Sequence, residues 1–235
     1  PFFYEILNKI GLKRIKGLKF LTQAGGNLDD KLFKDIVNYL EKTKLNLFLM
    51  YGQTEASPRI SFITMPDLLE SIESIGKGIE SCNLFLTDEK NMEISKPNQV
   101  GELNVSGANI ALGYSYTYED FSKPNEFKGL LKTGDLAYFD DKGRFYIVGR
   151  KSRFVKIVGK RINLDDVQSI VSDLGYENVC TGNDSFIKIG CTNISSENKI
   201  NLLRILMEKL NIQKSAIKIF EIDKIERKTS GKVAY

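Results

Sequence analysis

Leu32, Phe33, Ile36, Val37 and Leu40 recur at helical spacing, and Asp29 and Asp30 stand where a cap and first-turn charge belong. This predicts a helix with one buried face. The run Leu45–Met50 is apolar throughout and short, as in a buried strand. It stops at a polar loop, Tyr51-Gly52-Gln53-Thr54-Glu55-Ala56-Ser57. Helix, buried strand and polar loop form an α/β pattern, in which ligands bind beyond the carboxyl ends of strands. From 58 to 148 the pattern changes to short strands and turns. Gly101–Gly107 alternates apolar and polar residues, and Phe139-Asp140-Asp141-Lys142-Gly143-Arg144-Phe145 reads as a hairpin. A small, mostly antiparallel β subdomain is expected there.

Arg144–Val148 and Arg153–Val158 read as two strands around a short connection. A helix follows, with Asn163 as N-cap, Asp165 and Asp166 in the first turn, Val167, Ile170, Val171 and Leu174 as the stripe, and Gly175 as the stop. A second helix is predicted from about Ser196 to Leu210, and a strand over Ala216–Ile222. These elements make a small α+β domain over 149–235, with a boundary near 149.

Composition narrows the chemistry. The chain has 235 residues, 42% apolar and 27% charged, which fits a folded chain and excludes a disordered one. No apolar run approaches the ~18 residues of a membrane span, and the first residues lack the pattern of a secretory leader. With no histidine, Ser-His-Asp and Cys-His catalysis and histidine metal sites are excluded. Cys82, Cys180 and Cys191 form no metal-ligand pair, and their sparse, odd count points to a reducing, cytoplasmic setting. Net charge is +4 but uneven. Residues 150–235 hold 16 Lys/Arg against 10 Asp/Glu, a balance of +6, and residues 1–149 hold 18 against 20, a balance of −2. A basic C-terminal third suggests that this part meets an anion.

Four clusters carry candidate chemistry. In Tyr51–Ser57, Thr54 offers a hydroxyl to a phosphate and Glu55 an oxygen to magnesium; an ordinary polar loop is the plainer reading. Asp135, in Thr133-Gly134-Asp135, suits the vicinal hydroxyls of a ribose; a turn-forming Asp is the plainer reading. Arg150–Arg161 holds six cations and no acid, suited to phosphate or nucleic acid, or else a solvated hairpin. Arg227-Lys228-Thr229-Ser230-Gly231-Lys232 offers Lys232 as a clamp on a phosphate or carboxylate, but lacks the spacing of a P-loop. Alone it reads as a basic tail.

Taken in order, these stretches resemble the superfamily of adenylate-forming enzymes: acyl- and aryl-CoA synthetases, adenylation domains of peptide synthetases, and luciferases. The matching stretches are Ala24-Gly25-Gly26, Tyr51-Gly52-Gln53-Thr54-Glu55, Gly101-Glu102-Leu103, Gly113-Tyr114, Lys132-Thr133-Gly134-Asp135, Gly149-Arg150, Val155–Ile162 and Ser230-Gly231-Lys232. The resemblance implies an α/β fold in which 1–148 is the C-terminal part of the large AMP-binding domain. There 1–57 is an α/β remnant and 58–148 a β subdomain, followed by a small mobile lid, 149–235. It implies a ligase that uses ATP and Mg2+ to turn a carboxylic acid into an acyl-adenylate. Coenzyme A or the pantetheine of an acyl carrier protein would then take the acyl group and release AMP.

In that scheme Gly25, Gly26, Tyr51 and Gly52 line the nucleotide, with the two glycines allowing close approach. Thr54 bonds the phosphate, Glu55 holds magnesium, Asp135 chelates the ribose with Arg150 beside it, and Lys232 bridges carboxylate and phosphate. Ser152 takes the hinge position, where the family usually has Asp or Lys, and Lys156 to Gly159 form the loop for the thiol step. The family's phosphate loop would lie upstream of Pro1, so the chain reads as an excised portion that is inactive alone. A non-catalytic nucleotide-binding or interaction module of the same family is the alternative. A nucleic-acid-binding domain built on 150–161 is disfavoured, because the ligase pattern explains the same cations. Which acid is used stays open.

Overall fold

The computed structural model describes residues 2–11, 17–25, 30–43, 45–227 and 233. The chain divides into two compact units, Pro1–Val148 and Gly149–Tyr235. Among the described residues no helix is long and apolar enough to cross a membrane.

The first unit opens with helix α1 (Phe2–Ile10), strand β1 (Phe20–Gln23), helix α2 (Asp30–Thr43) and strand β2 (Asn46–Tyr51). β1 and β2 pair in parallel, with Leu21 opposite Leu47, and α2 is the crossover between them. The expected stripe is buried: Leu32, Phe33, Ile36 and Leu40 pack with Tyr4 and Leu7 of α1 and with Leu21 and Leu47. The run Leu45–Met50 is apolar because its strand faces two ways. Leu47 and Leu49 meet the helices, while Phe48 stands in an aromatic row with Phe20 and Phe62, at centroid distances of 6.0 and 5.8 Å.

The chain continues through β3 (Ser61–Ile63), the single-turn helix α3 (Asp67–Glu70), β4 (Ser74–Gly78), β5 (Cys82–Thr87), β6 (Glu93–Ile94), β7 (Gly101–Gly107), β8 (Leu130–Phe139) and β9 (Phe145–Arg150). Pairings from β2–β3 onward are antiparallel, as expected for this region. These strands do not form a separate sheet. Leu49, Met50 and Tyr51 of β2 pair with Ile63, Phe62 and Ser61 of β3, and the result is one nine-stranded order, β1-β2-β3-β4-β9-β8-β7-β5-β6.

One register shift matters for the site. Glu102 of β7 pairs with Leu136 of β8, and Asn104 with Lys132. Leu103 alone therefore stands opposite Thr133, Gly134 and Asp135, and β8 bulges there. Gly134 takes φ +70, a left-handed conformation that suits glycine. The Thr133 hydroxyl replaces a lost ladder bond by donating to the Leu103 carbonyl at 2.8 Å. The turn-forming reading of Asp135 is thus corrected: the tripeptide is a bulge inside a continuous ten-residue strand.

The second unit begins with a hairpin of β10 (Phe154–Ile157) and β11 (Lys160–Asn163), then α4 (Leu164–Asp173), β12 (Asn178–Asn183), β13 (Phe186–Cys191), α5 (Ser196–Leu210) and β14 (Ile217–Glu221). β12 and β14 flank β13, the first pairing antiparallel and the second parallel. Val167 and Val171 of α4 and Leu202 and Leu206 of α5 share one core with Ile187, Ile189 and Ile217 of the sheet. Leu174, expected in the α4 stripe, lies past the helix end and is exposed, because Gly175 at φ +88 turns the chain away.

Asn163 caps α4, its side chain accepting from Asp165 N at 3.0 Å and donating to Asp166 Oδ1 at 3.1 Å. Burial, and then the neighbouring Asp165, push the Asp166 carboxyl above its ordinary range. Replacing Asn163 with Ala should cost the second unit about 1 kcal/mol, seen as a lower urea midpoint. An unchanged midpoint would contradict the cap.

Candidate functional site

The polar loop after β2 is built around two close approaches. Tyr51 ends the strand, and its carbonyl accepts from Ile60 N at 2.9 Å, closing the loop on itself. A Cβ on Gly52 would stand 2.3 Å from the Pro58 carbonyl carbon and oxygen, so only glycine fits the crossing. Thr54–Ala56 then form a single 3-10 turn, pinned by fully buried Ala56. Asn109 braces the loop from outside, its amide donating to the carbonyls of Ala56 (2.9 Å) and Arg59 (2.8 Å).

This loop meets the β8 bulge. Asp135 is only 3% exposed. The Tyr51 hydroxyl donates to its Oδ2, and Gln53 Nε2 donates to the same oxygen at 3.1 Å. Gln53 Nε2 also reaches the Thr133 carbonyl at 3.0 Å, and Asp135 N donates to the Thr133 hydroxyl at 3.0 Å. A buried carboxylate needs such donors to replace the hydration it has lost. Residues more than 80 positions apart are thereby joined at the end of the sheet where β2 exits.

Glu55 sits beside this pair. The Tyr114 hydroxyl donates to its Oε1 at 2.6 Å, and Ala111 N donates to its carbonyl at 2.8 Å. The bond to the Glu55 carboxylate holds the Tyr114 phenol above its usual range. Thr54 is exposed next to Glu55. Among the described residues no group of three or more His, Cys, Asp or Glu side chains gathers to hold a metal. A single carboxylate nonetheless fits magnesium, which usually takes one or two protein oxygens and completes its shell with phosphates and water.

Gly25 follows β1 at the same end of the parallel pair as Tyr51. Its surroundings are open, with no atom within 4 Å of a notional Cβ. The glycine answers to φ +80 and not to crowding. Gly26 and Lys232 lie outside the described residues. Gln53, Thr133, Asn109 and Tyr114 complete the site without having been assigned roles from sequence. Their partners are remote in the chain, and only the run of polar residues after β2 hinted at Gln53.

Four residues singled out from sequence belong to the second unit. Arg150 is exposed at the end of β9, and Ser152 is exposed in the 3-10 turn Lys151–Arg153. Lys156 is exposed on β10, with its backbone N–H on Asp184 Oδ1 at 2.8 Å. Gly159 (φ +78) turns the hairpin together with Val158, which holds φ 48 and is 85% exposed. Arg153 leaves the expected cationic cluster altogether. It is buried, and donates to the Cys180 carbonyl (2.6 Å), Asp165 (2.7 Å) and Gln168 (3.2 Å).

Comparison with known proteins finds similar chains. Residues 1–115 match a family model described as AMP-binding enzyme. A 2-succinylbenzoate–CoA ligase of Bacillus cytotoxicus is 31% identical over 168 residues, 71% of this chain and 34% of that protein. The 4-hydroxybutyrate–CoA ligase 1 of Metallosphaera sedula is 32% identical over 160 residues, 66% of this chain and 27% of that protein. Among solved structures, the O-succinylbenzoate coenzyme A synthetase of Bacillus subtilis in complex with AMP matches with a TM-score of 0.71 at 23% identity. The match covers 98% of this chain and 47% of that one. The same enzyme in complex with ATP and magnesium ion matches with a TM-score of 0.69 at 21% identity, over 97% and 48% of the two chains. The chain thus spans about a third of the curated relatives' length and about half of the solved chains. The family match over residues 1–115 and the sequence relatives support an adenylate-forming, AMP-binding enzyme fragment, and the solved structures share its α/β fold.

Proposed function

We propose that the complete protein is an AMP-forming acid–thiol ligase. The observation that carries this reading is the buried Asp135 carboxylate, presented at the strand exit by Tyr51 and Gln53. A carboxylate so held suits two adjacent hydroxyls, as a ribose offers. In the first step a substrate carboxylate oxygen attacks the α-phosphorus of ATP, the bond to the β-phosphate bridging oxygen breaks, and pyrophosphate leaves. In the second, a pantetheine thiol, having lost its proton, attacks the acyl carbon and AMP departs. Both steps bring anions or lone pairs together, so positioning and charge neutralisation do more than proton transfer. A chain without histidine can supply both.

The roles are those that the family resemblance suggests. Tyr51 and Gly52, with Gly25 and Gly26, form the adenine side. Thr54 bonds the phosphate, Glu55 holds magnesium with Tyr114 fixing its carboxylate, and Asp135 and Arg150 take the ribose. Magnesium, when bound, offsets phosphate charge. Lys232 clamps carboxylate against phosphate. Ser152 is the hinge, the two units are the domains it joins, and the hairpin from Lys156 to Gly159 serves the thiol step. The acceptor is coenzyme A or an acyl carrier protein. The three cysteines are free and buried, in keeping with a cytoplasmic setting. 2-Succinylbenzoate and 4-hydroxybutyrate, taken from the relatives' names, are the first acids to try.

Thermal melting with Mg-ATP and with AMP tests the site. A ligand at 100 times its Kd stabilises by about 2.7 kcal/mol, or roughly 2–4 °C at this size. The shift should vanish in Asp135→Ala; no shift in the parent chain, or an equal shift in the variant, contradicts the ribose role. In the complete protein, Lys232→Ala should lower pyrophosphate exchange by about 10²–10³ and leave thioester formation from a supplied acyl-adenylate unchanged. Equal losses in both half-reactions would contradict the clamp.

A further inference from the structure

We infer that Gln53 is a positioning residue that aims the Asp135 carboxylate and so sets the preference for ribose hydroxyls. The inference rests on the ribose reading of Asp135. It begins with one nitrogen and its two nearest acceptors, the Tyr51 hydroxyl lying farther off at 3.4 Å. Gln53 Nε2 lies 3.0 Å from the Thr133 carbonyl and 3.1 Å from Asp135 Oδ2. Both partners only accept, so the amide nitrogen and not its oxygen must face them. The two N–H groups of one planar amide thus grip both ends of the bulge, Thr133 before Gly134 and Asp135 after it.

That grip spans a glycine. Gly134 has no atom within 4 Å of a notional Cβ, so Gln53 holds the bulge through the residues on either side of it. The Thr133 hydroxyl ties the bulge to Leu103 and to Asp135 N, which sets the backbone but not the carboxylate's rotation. The Tyr51 hydroxyl donates to Oδ2 from the end of β2. Gln53 adds a second donor to that oxygen and refers it to the bulge backbone. Neither an apolar residue nor a carboxylate at 53 reproduces this: the first donates nothing, and the second sets an anion against Asp135.

The test compares adenosine with 2′,3′-dideoxyadenosine, by calorimetric Kd on the full chain. The chain should prefer adenosine, and Asp135→Ala should erase the preference. Gln53→Leu should weaken adenosine binding about 10- to 100-fold, as for a lost hydrogen bond to a charged group, and leave the dideoxy probe unchanged. Gln53→Glu, which sets a second carboxylate against the first, should lose adenosine affinity in the same way and also spare the dideoxy probe. A role in packing alone would weaken both probes alike. If Asp135→Ala erases the preference while both Gln53 variants keep it, or if the Gln53 variants weaken both probes equally, the inference is overturned and the ribose reading stands. If the parent chain shows no preference, both fall.

Discussion

A carboxylate with 3% of its surface exposed must be held by donors, and in this protein that requirement organises one end of the large sheet. Asp135 takes donors from Tyr51 and Gln53, more than 80 residues earlier in the chain. For these to meet, β2 must end at Tyr51, the loop must fold back at Gly52, and β8 must bulge at Gly134. Each condition has a local cause. The Ile60–Tyr51 bond closes the loop, the absence of a Cβ lets Gly52 pass Pro58, and Leu103 faces three residues of β8 instead of one. The β2–β3 ladder makes the arrangement rigid by joining the parallel strands to the antiparallel ones.

The second unit distributes its cations differently from what their clustering in sequence suggests. Arg153 is a structural residue, tying β10 to α4 and β12 through Asp165, Gln168 and the Cys180 carbonyl. Lys160 donates to the Asn211 carbonyl at 2.6 Å, and Arg161 lies 4.8 Å over the Phe154 ring. Lys156 and Arg161 are cross-strand neighbours, a like-charge pair that favours an anion nearby. Val158 holds a left-handed φ at the exposed tip, which is costly for a β-branched residue. Cost gathered at one hairpin in this way marks functional segments more often than stable ones.

Much of the fold was legible in the residues themselves. The stripe of α2, the Asn163 cap and the extent of α5, Ser196–Leu210, follow from periodicity and local hydrogen bonding, and they stand where expected. What could not be read depends on contacts remote in sequence. The Thr133-Gly134-Asp135 stretch has the composition of a turn, and only the β7 partner makes it a bulge. Asn104 is buried on an alternating strand because the Thr87 hydroxyl and Glu102 carbonyl, each 2.9 Å away, satisfy its amide. Arg153 looks like its cationic neighbours until Cys180 and Asp165 surround it. At the candidate site, the types of Tyr51, Glu55 and Asp135 drew attention to these stretches. The Gln53 amide and the Tyr114 hydroxyl did not, since their value lies in distances of 2.6 to 3.1 Å to residues far along the chain.

The central claim is that the loop after β2 and the bulge of β8 form one nucleotide-facing site. Amide chemical-shift mapping of the isotopically labelled chain during titration with AMP tests it most directly. The account predicts the largest first-unit shifts at residues 51–55 and 133–135, saturating together with one Kd. Saturable shifts that leave both segments unmoved, and gather instead around the separate cavity lined by Phe62, Asp67, Lys77 and Arg144, would contradict it.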